Sequence, residues 1–163
     1  MFLALWPAPD ERAQLVHYLQ QWTWPRESSP ITADRLHLTL HFLGTVARER
    51  VAELAARLQV PTTAFELCLT RAEIWPRGLA VLQTSEPSAA LIELHVRLAE
   101  ALRAIDLSVE ARRFRPHVTL ARRAAGASPP AEPARLHWRI SSYCLVESVL
   151  GAGGGYHVAQ HYG

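Results

Sequence analysis

Two short segments of the chain share one pattern, in which histidine, threonine and leucine follow one another in a fixed order. The first is Leu36-His37-Leu38-Thr39-Leu40, and the second, 80 positions later, is Pro116-His117-Val118-Thr119-Leu120. An imidazole with a pKa of about 6.5 supplies an acid and a base near neutral pH. A hydroxyl beside it donates a hydrogen bond to an anionic oxygen. The two segments together therefore carry the groups needed to move two protons around an anion.

Both segments are predicted to be β-strands, on which successive side chains point to opposite faces. His37 and Thr39 then share one face, and His117 and Thr119 share a face in the second segment. We expect His41 to lie on the face of His37 and to line the site or its edge. The residues expected on the opposite, core-facing side of the first segment are Leu36, Leu38, Leu40 and Phe42.

Opening a cyclic phosphate requires the kind of two-proton exchange that paired imidazoles perform: one proton leaves a water molecule and another reaches the departing ribose oxygen. Each such transfer typically contributes on the order of 10²–10⁴ in rate. Threonine hydroxyls can stabilise the charge that grows on the non-bridging phosphate oxygens. Because the two motifs are equivalent in character, either histidine can be the acid and either the base.

A metal or cofactor is not predicted. His37 and His41 are four residues apart, as are His157 and His161, and on a strand this spacing separates side chains by roughly 13 Å, too far to chelate one ion. The chain also lacks an HExxH pattern. Its two cysteines, at positions 68 and 144, lack CxxC spacing and are expected to be buried, reduced core residues.

All 17 basic residues are arginines. Without lysine the chain forms no lysyl–nucleotide intermediate, Schiff base or P-loop phosphate clamp. Arginine binds phosphate oxygens without covalent attachment. Five arginines bracket the second motif, where they either solvate a surface or steer a polyanion; they are Arg112, Arg113, Arg115, Arg122 and Arg123.

Hydrophobic periodicity and turn residues indicate how these motifs are positioned. Helices are predicted over residues 10–22, 48–59 and 87–105, and strands over 2–6, 36–43, 64–75, 79–84, 115–121, 136–149 and 156–160. A hairpin at residues 76–78 favours an α+β fold with antiparallel sheet. A motif strand with a helix and further strands recurs in each half, which predicts two pseudo-symmetric lobes in one domain over residues 1–163.

The start of the chain has no signal-peptide pattern, so we expect a cytosolic protein.

A resemblance to a known family is carried by three segments in a fixed order: FLAL (2–5), LHLTLHFLG (36–44) and RFRPHVTLAR (113–122). The chain resembles the 2H phosphoesterase superfamily, specifically the RNA 2′,3′-cyclic phosphodiesterases of the LigT/ThpR type, formerly called 2′-5′ RNA ligases. The resemblance implies two lobes of antiparallel sheet with flanking helices around a central cleft. It also implies metal-independent hydrolysis of an RNA terminal 2′,3′-cyclic phosphate to a 2′-phosphate.

Carried over by position, the resemblance makes His37 and His117 the acid–base pair and Thr39 and Thr119 phosphate ligands. The family's arginine after the second motif falls on Arg122. Strict alternation from His117 would place Arg122 on the opposite face of the strand. Arg122 can therefore reach the phosphate only if the strand ends or bulges near residue 121; otherwise it is a surface arginine.

The last hairpin, residues 151–156, is neutral where family members often carry basic residues, and we predict a flexible turn there. Tyr156 and Trp24 could stack on a base, but packing is the preferred interpretation. Reversible 2′-5′ ligation, cleavage of another small cyclic phosphate such as ADP-ribose cyclic phosphate, and non-catalytic binding of RNA ends remain alternatives. The expected partner is an RNA 3′ end bound by a monomer, with no membrane.

Overall fold

The computed structural model describes residues 1–149 and 154–163. The three predicted helices are present as α1 (Pro9–Gln20), α2 (Val51–Arg57) and α3 (Ala89–Arg103), with 3-10 turns at Ala33–Arg35 and Arg48–Arg50. The strands are β1 (Phe2–Leu5), β2 (Ser29–Pro30), β3 (Leu38–Phe42), β4 (Phe65–Leu69), β5 (Arg71–Trp75), β6 (Leu79–Gln83), β7 (His117–Arg122), β8 (Leu136–Ile140), β9 (Tyr143–Ser148) and β10 (Tyr156–Tyr162). None of the helices in the described part of the chain is long and apolar enough to span a bilayer.

The strands form two antiparallel sheets. The larger has the order β10-β9-β1-β3-β7-β6-β5, with β2 paired to β7, and the smaller consists of β4 and β8. Every pairing between these strands is antiparallel, which confirms the predicted α+β class. The two motif strands, β3 and β7, are neighbours in the centre of the larger sheet and meet at the pair Leu38 and Val118.

A β-bulge interrupts each motif strand at the same position. In β3, Thr39 pairs with Ala4 and His41 with Leu3, so Leu40 is the extra residue. In β7, the register shifts in the same way around Leu120. An extra residue reverses which face the following side chains occupy. The bulge therefore occurs in both motif strands of the fold, just as the HxTL pattern occurs twice in the sequence.

The bulge in β3 overturns two expectations. His41 does not line the face of His37: it is 5% exposed and lies on the core side of the sheet. Phe42, which alternation placed in the core, is 48% exposed. Both errors have one cause, because the alternation rule holds only while the strand has no extra residue.

His41 packs beneath the sheet in a stack of three rings. Its Nε2–H donates to the carbonyl oxygen of His95 at 2.8 Å, and the centroids of the two imidazoles lie 4.0 Å apart. His95 in turn stacks on Phe114 at 3.9 Å. Burial lowers the pKa of His41, and burial together with the neighbouring His41 lowers the pKa of His95 to about 4. Both rings are thus held in the neutral form.

This stack predicts acid-sensitive stability. The unfolded chain binds a proton on each ring below a pKa of about 6.5, whereas folded His95 does so only near 4. Stability is therefore present above pH 6.5 and falls as the pH decreases toward 4, by about 1–2 kcal/mol once partial solvent screening is allowed for. Urea unfolding of the wild type and His95→Phe across this range measures the effect. The variant should show a shallower pH dependence; an identical slope would contradict the prediction.

Two predicted strands are each divided between the sheets. The segment 64–75 breaks at Thr70 into β4 and β5, and 136–149 breaks at residues 141–142 into β8 and β9. β4 pairs with β8, whereas β5 and β9 belong to the larger sheet. The hydrophobic alternation of each segment is interrupted at its break, where Arg71 and Ser142 occupy positions that the pattern would make apolar, but an interruption alone does not show that the chain changes sheet. Cys144 is buried as expected, but Cys68, on β4, is only half-buried.

The predicted hairpin at residues 76–78 is confirmed between β5 and β6. Arg77 and Gly78 have φ values of 66° and 68°. A Cβ at Gly78 would lie 2.8 Å from the backbone nitrogen of Ala125, and the Gly78 carbonyl accepts a hydrogen bond from the N–H of Ala124 at 2.8 Å. Glycine is therefore required here both by φ and by the close approach of the chain that leaves β7.

Candidate active site

The two motif histidines are oriented in the same way. The Nδ1 of His37 lies 2.6 Å from the carbonyl oxygen of Arg35, and the Nδ1 of His117 lies 2.6 Å from that of Arg115. A carbonyl oxygen only accepts, so each Nδ1 carries a hydrogen and donates it. Nε2 is consequently the nitrogen that gains and loses a proton in both rings. The backbone two residues upstream of each histidine thus sets its tautomer.

The motif hydroxyls lie on the same face of the sheet as the rings. Thr39 Oγ1 is 3.1 Å from Nε2 of His37. The antiparallel pair Leu38–Val118 places each histidine alongside the threonine of the other motif. The four side chains predicted from the sequence are therefore brought together across the junction of β3 and β7, all half-buried.

Arg122 follows a β-bulge, which is what it needs in order to reach the phosphate. Leu120 and Ala121 are both buried, and Arg122 is exposed. The bulge at Leu120 thus returns Arg122 to the face that carries His117 and Thr119. Phe42 is the equivalent residue after the bulge in β3, so the two motifs place a guanidinium and a phenyl ring at matching positions.

Both histidines have a lowered pKa. Burial is the largest cause for His37, followed by its hydrogen bond to Arg35, which opposes the shift, and by the positive charges of His117 and Arg122. Burial also lowers the pKa of His117, with further lowering from the charges of Arg112 and Arg115. In the free protein, both imidazoles are neutral at pH 7 and ready to accept a proton at Nε2.

We therefore expect both rings to titrate below the ordinary value of about 6.5. Two-dimensional NMR of the ring carbons and protons, with assignments from His37→Gln and His117→Gln, measures each midpoint. Because the charge of one ring lowers the pKa of the other, removing His117 should raise the midpoint of His37. Midpoints above 6.5 in the wild type would contradict the predicted effect of burial.

Aromatic side chains surround each histidine. The ring of His37 stacks on Phe2 at 4.8 Å and Trp6 at 5.5 Å, and meets the edge of Tyr156 at 5.2 Å. These contacts agree with the packing role preferred for Tyr156. His117 lies 4.5 Å from the ring of Trp75.

Arginines cover two of these aromatic rings. Arg35 lies over Tyr156 at 4.9 Å, and Arg115 lies over Trp75 at 4.0 Å. Each arginine is two residues before a motif histidine, so the repeat is Arg-x-His-x-Thr-Leu rather than His-x-Thr-Leu. The longer pattern is visible in the sequence, but the predicted motif began at the histidine, and the roles of Arg35, Trp6 and Trp75 were therefore missed.

Within residues 1–149 and 154–163, a group suited to metal binding is formed by Glu66, Cys68 and His137, whose ligand atoms lie within 4.8 Å of one another. Cys68 and His137 face each other across β4 and β8, with Sγ and Nδ1 3.4 Å apart. This pair belongs to the smaller sheet, not to the sheet that carries the motif histidines. It was not predicted, because strand pairing joins residues 69 positions apart.

Two further expectations concern loops. Trp24 stacks on Trp22 with 4.8 Å between ring centroids, which agrees with the packing role preferred for it. Half of the turn predicted at residues 151–156, positions 151–153, lies outside the described residues, and Tyr156 begins β10. The turn stays a prediction.

Comparison with known proteins agrees with this geometry. The sequence profile of the 2'-5' RNA ligase superfamily matches residues 7–151. The chain belongs to this superfamily. Two relatives named "RNA 2',3'-cyclic phosphodiesterase" are each 33% identical to it over 92% of the chain: one from Escherichia coli, covered to 84% of its length, and one from Thermus thermophilus, covered to 82%.

Solved structures from the superfamily have the same fold. E. coli LigT complexed with 3'-AMP is 28% identical, has a TM-score of 0.86, and is matched over 99% of this chain and 95% of its own. A second structure, TT0787 of T. thermophilus, matches 99% of this chain and 95% of its own with a TM-score of 0.78 and supports the fold alone, at 24% identity. The expectation that the chain adopts the fold of this superfamily is confirmed.

Proposed function

We propose that this protein hydrolyses the 2′,3′-cyclic phosphate at the end of an RNA to a 2′-phosphate. The observation that carries the proposal is the pair of imidazoles whose Nδ1 atoms are both tied to backbone carbonyls, beside two threonine hydroxyls on one face. Relatives at 33% identity are named for this activity. The acid–base and phosphate-binding residues that the family resemblance implies are all present in this chain.

In the proposed reaction, Nε2 of one histidine removes a proton from water as the water oxygen bonds to phosphorus. The bond from phosphorus to the ribose 3′ oxygen breaks, and the other histidine, which takes up a proton at Nε2 when the anionic phosphate binds, gives that proton to the departing oxygen. The hydroxyls of Thr39 and Thr119 and the guanidinium of Arg122 bind the non-bridging oxygens and stabilise the added charge. The product keeps its phosphate on the 2′ oxygen.

The proposed site uses no metal, because its own side chains move both protons and supply the positive charge. Turnover of a dinucleotide with a 2′,3′-cyclic phosphate should therefore be unchanged in excess EDTA. Loss of turnover in EDTA, restored by a divalent ion, would overturn the metal-independent assignment.

We also propose that a monomer is active, since one chain supplies both histidines. Light scattering with a parallel activity measurement tests this.

The same groups could join a cyclic phosphate to a 5′ hydroxyl, which is the reaction with an alcohol in place of water. A parallel assay on cyclic-phosphate dinucleotide, free cyclic nucleotides, ADP-ribose cyclic phosphate and ligatable RNA ends ranks these activities. Hydrolysis of the dinucleotide is expected to be the fastest. Tight binding of the dinucleotide with no turnover of any substrate would instead indicate a binding module.

A further inference from the structure

The two motifs differ in what surrounds their upstream arginines. Arg35 and Arg115 occupy equivalent positions, and each lies over an aromatic ring that contacts the histidine of its own motif. A guanidinium held flat on a ring is oriented while its N–H groups stay available for an anion. How free each arginine is to bind an anion then depends on its remaining contacts.

The arginine beside His117 already has a carboxylate nearby. Nη2 of Arg115 lies 3.6 Å from Oε2 of Glu73, which also accepts a hydrogen bond from the indole N–H of Trp75 at 2.9 Å. Glu73 forms a second ion pair with Arg71. The positive charge on this side of the site is therefore partly neutralised by the protein itself.

The arginine beside His37 has no such partner. Among the described residues, Arg35 forms no ion pair with a carboxylate, and its Nε–H is buried without a hydrogen-bond partner. A buried donor left unpaired is costly and is usually satisfied by a ligand or water. Arg35 is only half-buried as a whole, so its guanidinium remains accessible.

A second guanidinium reinforces the charge on the same side. Arg12 lies 5.8 Å from the ring of Trp6, and its N–H groups donate to the carbonyl oxygens of Pro7 and Ala33. These backbone contacts fix its position without cancelling its charge. Arg12 and Arg35 thus each lie over an aromatic ring that packs on His37.

We infer that Arg35, supported by Arg12, forms a subsite for the phosphodiester that precedes the cyclic phosphate in an RNA chain. The inference rests on the proposed function and deepens it. The internucleotide phosphate is the nearest anion to a cyclic end, and a free cyclic nucleotide does not have one. The RNA chain then leaves the site on the side of His37, and the subsite favours an oligonucleotide over a mononucleotide.

Binding of reaction products tests this without relying on turnover. The Kd values of a dinucleotide and a mononucleotide, each ending in a 2′-phosphate, are measured by calorimetry for the wild type, Arg35→Gln and Arg115→Gln. Arg35→Gln should weaken dinucleotide binding relative to mononucleotide binding by about tenfold, the usual scale for one charge-assisted hydrogen bond. Arg115→Gln, the pseudo-symmetric control, should leave the ratio of the two Kd values unchanged. Thermal unfolding monitored by circular dichroism establishes that both variants are folded.

Three outcomes are distinguishable. An unchanged ratio in folded Arg35→Gln overturns the subsite, whether or not the protein is an active phosphodiesterase. A loss of the dinucleotide preference in Arg115→Gln instead places the RNA chain on the side of His117 and also overturns it. Absence of wild-type turnover, with the ratio still dependent on Arg35, overturns the proposed hydrolysis but supports the subsite. The salt dependence of dinucleotide binding should also be reduced in Arg35→Gln.

Discussion

Replacing His117 or His37 with alanine is expected to lower kcat for a cyclic-phosphate dinucleotide by about 10²–10⁴-fold, because each ring performs one of the two proton transfers. Both rings are fixed at Nδ1 by a carbonyl, so glutamine, which cannot transfer a proton, should not rescue either position. Steady-state hydrolysis, followed by chromatographic separation of the 2′-phosphate product, measures the loss.

The two positions are also expected to depend on each other. One ring serves the attacking water and the other serves the departing ribose oxygen. The double variant, with alanine at both positions, should therefore have no turnover above that of a reaction without enzyme. His157→Ala provides the matched control and should keep wild-type turnover, since His157 lies exposed on β10 away from the motif strands. Turnover retained in the double alanine variant would show that other groups move the protons.

Removing the hydroxyl of Thr119 is expected to have the second largest effect. Thr119→Val keeps the shape of the side chain but removes a donor to a non-bridging phosphate oxygen, and loss of one such donor costs about 10²–10³ in kcat. Thr119 is preferable to Thr39 for this measurement, because the Thr39 hydroxyl also contacts Nε2 of His37 and its loss would alter two interactions.

Thr119→Ser is the matched variant, since it restores a hydroxyl at the same position. It should recover most of the activity lost in Thr119→Val. The pH–rate profile should have the same midpoints in all three proteins, because the threonine carries no proton in the reaction. Equal activity of the valine and serine variants would exclude a role for the hydroxyl in binding the phosphate.

The residues with the clearest chemistry could be predicted because strand phase is a local property. His37, Thr39, His117 and Thr119 share a face through the two-residue period of a β-strand, which operates before each bulge. Beyond Leu40 the rule fails in β3, and His41 and Phe42 exchanged the faces expected of them. A bulge depends on pairing with a neighbouring strand, which one strand's own sequence does not specify.

Arg122 could be placed in the site from the family resemblance but not from strand alternation. Alternation alone excluded it from the site, and the family resemblance required a bulge or a strand end near residue 121. The register shift around Leu120 supplies that bulge. A motif known from relatives thus carried information about strand pairing that hydrophobic periodicity lacked.

The division of strands between sheets could not be predicted for a related reason. The hydrophobic alternation of residues 64–75 and 136–149 is interrupted at each break, but only the pairing of β4 with β8 shows that the chain changes sheet. The same long-range pairing brings Cys68 beside His137. Contacts between residues far apart in the sequence leave no local periodic signal.

The identity of the product tests the central claim most directly. A dinucleotide with a 2′,3′-cyclic phosphate is hydrolysed in isotopically labelled water, and phosphorus NMR identifies the ester that remains and the label it carries. Two-histidine catalysis with departure of the 3′ oxygen predicts a 2′-phosphate with one labelled oxygen, formed at the same rate in EDTA. A 3′-phosphate, or a mixture of both esters, would contradict the proposed arrangement of acid and base.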